Sequence, residues 1–319
     1  MAQNNSLTIQ ALSIIGGILT AIFLLGFMFV SSIIDTELSA MITGVILIVA
    51  TLFINRSSTA SFLDAMNITL YVAGTMLLGY GLFQNLVLLF ITLMIISVLT
   101  FLFSKNFILP FLSIILFAFA FLGEIAQLTF SWALLQIGMI LILAAFLLTN
   151  IYETKVSLVF KNHLAKYRPF HAGLFVSCVA SLVILSICSR MIDIDFFWIS
   201  SVAIWIGFFI IVRKIMEVME IKPIAKQAGV YALCLIICLP TLFAPYLSGS
   251  LLLILICFYY GYRTECATAL LLFIYAISKY YYDLNLNLLL KSITLFFTGV
   301  ALLVAWYYFT QKRTKHEKI

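Results

Sequence analysis

The chain has 319 residues, 65% of them hydrophobic and 9% charged. Soluble domains run nearer half apolar and a quarter charged, so a water-soluble enzyme, a disordered chain and a secreted disulfide scaffold are set aside. Lys and Arg number 18 against 12 Asp and Glu, a formal charge of +6, but no basic domain lies outside the apolar runs to receive nucleic acid. The composition describes an all-α integral membrane protein, a single polytopic domain over residues 1–319.

A transmembrane helix needs roughly 20 apolar residues. Apolar runs, punctuated by charge, Pro, Gly and Asn, predict twelve of them. The first, 11–34, follows a start without Lys or Arg and reads as a retained span, since a cleavable signal needs a basic start. The runs 38–54, 61–83, 85–103, 107–123 and 128–149 complete a first six-helix half, 1–150. A connection at 151–171 carries Lys155, Lys161, Lys166 and Arg168. The second half, 172–319, holds runs at 172–188, 196–212, 228–244, 247–262, 266–282 and 293–309. The ninth and tenth are short and nearly continuous, and fusing them would give eleven spans. The basic stretch 213–227 reads as a helix extension with an anchor, or as a helix lying in the interface.

Charge orients the bundle. With twelve spans, fifteen Lys and Arg fall on the side of both termini, and Arg190, Lys279 and Lys291 on the other. Basic residues accumulate in short cytoplasmic loops, so both termini are expected in the cytoplasm, as is the 151–171 connection. Tyr259, Tyr260 and Tyr262, Tyr280 to Tyr282, and Trp306 to Tyr308 fall at span ends, as interfacial aromatic belts do.

No Asp, Glu, Lys, Arg or His falls mid-span, where coupled carriers commonly place a carboxylate. Pro240 is the best candidate for a kink. Asp64 lies one turn into the third span, within reach of Arg56, where an acid suits the helix dipole. Lys279 and Asp283, four apart, share a helix face, and Lys291 follows a few residues on. Two lysines so close together on the outer side run against the charge bias. They mark a candidate contact for an anionic group or a partner. The six cysteines sit in apolar runs without a redox or zinc spacing. His163 and His171 are eight apart with no third ligand nearby, so no metal site is expected. Serine-hydrolase, metalloprotease and phosphate-loop motifs are missing, so neither an enzyme nor a cofactor is expected.

Residues 282–292 read YDLNLNLLLKS. Tyr282, Leu284, Leu288, Leu289, Lys291 and Ser292, followed by Gly299, resemble the C-terminal signature of a bacterial membrane-protein family known only as domain of unknown function 4401. Phe62-Leu63-Asp64 leading to Gly74, and the Gly16-Gly17 pair, are similar to its N-terminal half. The resemblance implies a many-spanning protein of the bacterial inner membrane with no established activity. It also implies a complex, since such proteins often accompany a second multispan protein and an envelope protein bearing a Gly-Asp-Tyr motif. The expected role is a non-enzymatic component or scaffold, with Tyr282, Asp283, Lys291, Ser292, Lys279 and Asp64 as candidate contact residues. The alternative is a transporter or channel for a small or lipid-like solute, its path lined by residues such as Gln136, Thr294 and Thr298.

Overall fold

The computed structural model describes residues 7–32, 34–57, 61–104, 107–129, 132–153, 164–188, 197–220 and 223–283. Among them are eleven α-helices and no strand. In chain order they are α1 (Leu7–Val30), α2 (Glu37–Ser57), α3 (Ser61–Gly81), α4 (Leu86–Phe103), α5 (Ile108–Thr129) and α6 (Trp132–Ile151). After these come α7 (Leu164–Cys188), α8 (Phe197–Val218), α9 (Ile224–Cys238), α10 (Pro245–Tyr260) and α11 (Arg263–Asp283). Six of them, α2 and α4 to α8, are long and apolar enough to cross a membrane. The run at 293–309 lies outside the described residues, as do Lys291 and Ser292.

The surface is what a bilayer wants. Phe23, Phe27, Phe53 and Phe258 are exposed, whereas Asn67, Gln136, Asn150, His171 and several serines are buried. Water would penalise the first set, and the second is stable inside only when hydrogen-bonded. Helices α5 to α8 and α10 share the main apolar core, around Phe146, Ile211, Leu252 and Ile256. Helix α11 packs on α10 and α7, and α1 to α3 form a separate layer from which α3 also meets α4 and α5.

Backbone contact sets the tightest of these seams. A Cβ on Gly44 would lie 2.9 Å from the Gly74 carbonyl oxygen, and one on Gly74 would lie 2.9 Å from that of Gly44. Small residues let α2 and α3 approach this closely. Helix α1 joins them through hydroxyls, with Thr20 and Thr69 2.7 Å apart.

Several helix bounds differ from the sequence expectation, among them those of α5, α7, α8 and α9. Helix α7 starts at Leu164, inside the expected basic connection, and contains Pro169. The N–H that proline lacks would have bonded Ala165 in the first turns, so the loss falls at the helix start. Lys166 is accommodated because its Nζ donates to the carbonyls of Phe101 (3.0 Å) and Leu102 (2.6 Å) at the end of α4. Helix α8 runs on to Val218, and Arg213 meets Glu217 on its exposed side at 3.0 Å. It ends where Glu220 takes a left-handed φ of 51°. The 213–227 stretch is therefore a helix extension followed by the start of α9. Helices α9 and α10 are separate, divided by a 3-10 turn at Leu239–Thr241.

Candidate functional site

Polar chemistry gathers in three clusters. At the Asp283 end of α11, Lys279 Nζ donates to Asp283 Oδ1 at 2.9 Å, and the two side chains are 12% and 20% exposed. The buried Tyr246, at the start of α10, packs in a small cluster with Ala276 and Tyr280. Tyr282 points away and is 69% exposed. The sequence-derived candidates Lys279, Asp283 and Tyr282 thus share one helix end. Asp64 lies far along the chain on α3, and its side chain falls outside the described residues, as does any pairing with Arg56.

At the starts of α6 and α8, Ser200 donates to Gln136 Oε1 at 2.6 Å, tying the two helices together. The 3-10 turn presents Thr241 to two helices. Trp205 Nε1 donates to its hydroxyl at 3.2 Å, Ser248 reaches the same oxygen at 2.8 Å, and Ser201 donates to its carbonyl at 3.1 Å.

The densest cluster stands at the opposite end from Asp283, and the sequence reading did not assemble it. His171, near the start of α7, is 5% exposed. Asn150, in the last turn of α6, donates through Nδ2 to the Phe146 carbonyl at 2.8 Å. Its Oδ1 is left to accept from His171 Nε2, 3.1 Å away, which fixes a proton on that nitrogen. The other ring nitrogen, Nδ1, lies 3.3 Å from Glu265 Oε1 on α11. The imidazole and the carboxyl are each other's polar partner across this contact, as burial of both requires.

Aromatic rings close the cluster. His171 lies 5.2 Å from Phe146, 4.7 Å from Tyr262 and 6.1 Å from Tyr167, ring centre to ring centre. The turn between α10 and α11 brings Tyr262 and Glu265 here. Gly261 adopts φ 76° and ends α10 in the left-handed conformation that glycine takes without penalty. The Tyr262 carbonyl then receives the Cys266 N–H at 2.8 Å and starts α11. Glu265 falls in the first turn, where the helix dipole favours an acid. Tyr262 donates to Glu153 Oε1 at 3.4 Å. Burial above all, then the charge of Glu153, pushes its phenol well above the usual tyrosine range, so it keeps its proton and acts as a donor.

The family model for the domain of unknown function DUF4401 matches residues 6–312. The chain belongs to the DUF4401 family. No curated protein and no solved structure matches it. In this DUF4401 chain the sequence reading treated His171 only as half of a spaced histidine pair with His163, which lies outside the described residues. A buried histidine near a helix start was the available signal. Nothing in spacing connects it to Asn150 or Glu265. Among the described residues, no group of three or more His, Cys, Asp or Glu stands close enough to hold a metal.

Proposed function

We propose that this DUF4401 chain is a non-enzymatic component of a bacterial inner-membrane complex, a scaffold for an envelope or second membrane protein. In this reading it has twelve spans and both termini in the cytoplasm. The observation that supports it is how interior polar groups are used. Gln136 bonds Ser200, Thr241 serves Ser201, Trp205 and Ser248, and Asn150 holds His171. Groups that line a solute path must face it. These face each other across helix contacts and act as glue. Gln136, the described member of the expected polar path, gives its carbonyl oxygen to Ser200.

The docking surface in this proposal is the outer end of α11, where Tyr282 is exposed beside the Lys279–Asp283 pair. Lys291 and Ser292 follow along the chain. The test is purification of the tagged protein from its native host in mild detergent, beside Tyr282→Ala and Lys291→Ala. A stoichiometric envelope or membrane protein that accompanies the wild type and is lost in the variants is expected. A chain that emerges alone in every case sinks the scaffold and favours the transporter alternative. Orientation has its own test, in a background without the native cysteines. Glu37→Cys and Asp193→Cys should label from outside intact cells, and Lys315→Cys should not.

A further inference from the structure

We propose that the cavity between α4, α5, α6 and α7 binds one anionic glycerophospholipid, with an acyl chain inside and the phosphate on Lys166. The cavity has a volume of about 470 Å³, within the roughly 300–1,000 Å³ of ordinary ligand pockets. Its walls are apolar, with Phe101, Phe117, Phe121 and Phe170 among them. The two serines that line it are already committed, since Ser97 donates to the Met94 carbonyl at 2.7 Å and Ser113 to that of Pro110 at 2.8 Å. Neither serine has a proton left to give, and walls otherwise apolar suit a hydrocarbon occupant.

The shape and the mouth point to an acyl chain. The lining runs from Phe101 to Met94 on α4, about 10 Å along the helix axis at 1.5 Å per residue. Val98 and Leu141, both in the lining, are also exposed, at 45% and 52%. The mouth thus opens sideways on an apolar surface, between helices α4 and α6 that are long enough to cross a membrane. A chain can enter from the bilayer without crossing water.

Charge selects the head group. Lys166 stands over the cavity's end, with Nζ 5.8 Å from the Phe101 ring centre. Phe101 and Phe170 meet edge to face there at 6.0 Å. Two of the ammonium's three donors go to α4 carbonyls, and the third suits a phosphate oxygen. Arg168, two residues on, is exposed at the same helix end. A cation at the rim of a hydrocarbon slot complements a phospholipid of net negative charge.

The test uses full-length protein stripped in detergent, then offered phosphatidylglycerol and phosphatidylcholine of identical chains, with bound lipids counted by native mass spectrometry. One phosphatidylglycerol held at least ~5-fold in preference to phosphatidylcholine is expected. Lys166→Gln should bring the preference close to parity, and Lys166→Arg should keep it. Ala118→Trp, which fills the slot, should release both lipids. Ala145→Phe stands in if that variant elutes as an aggregate. Equal retention of the two lipids by the wild type, or an unchanged preference in Lys166→Gln, overturns the proposal.

Discussion

Two acid–base contacts of α11 are buried alike and do different work. Lys279 and Asp283 sit on one helix, four residues apart and 2.9 Å across. His171 and Glu265 join α7 to α11 at 3.3 Å, and Asn150 extends the link to α6. Their exposures, 12% and 20% against 7% and 18%, do not separate them. Connectivity does. A helix makes the first pair by itself, so it adds little to tertiary structure. The second exists only when three helices are docked, so its free energy belongs to the bundle.

That difference can be broken. His171→Ala should cost about 3–5 kcal/mol, because it leaves the Glu265 carboxylate buried without its counterpart. The measurement is the thermal unfolding midpoint in mild detergent. A loss no greater than that of Lys279→Ala would end the distinction. Asn150→Leu should cost about 1–3 kcal/mol, since it strands the His171 Nε2–H, while the Phe146 carbonyl keeps its bond from Thr149. Lys279→Ala should be milder than His171→Ala, at about 1–3 kcal/mol, because it strands the Asp283 carboxylate but unties no helix from another. The sharpest contrast comes from reversal. K279D combined with D283K places the acid first, the favoured order in a helix, and should leave the midpoint nearly unchanged.

The same contrast measures what the sequence could tell. The apolar run 85–103 anticipates α4 at Leu86–Phe103 almost to the residue, because nothing charged interrupts it. The start of α7 was hidden because Lys166, Arg168 and Pro169 break the run. Lys166 belongs in the helix only because distant carbonyls on α4 receive it, and hydropathy carries no such information. Lys279 and Asp283 were legible because helical spacing makes them neighbours. His171 and Glu265 were not, because only the packing of α7 against α11 brings them together. The family resemblance, read from the 282–292 motif, holds over nearly the whole chain.

The chain distance between His171 and Glu265 is also an interval of time. Synthesis proceeds from the N-terminus at about 5–20 residues per second, so the roughly ninety residues between them take on the order of 5–20 s to appear. During that interval α6 is complete and Asn150 is already made, while the acid is not. In the finished fold Asn150 holds one ring nitrogen of His171 and Glu265 meets the other, so the cluster joins one of the early helices to one made much later.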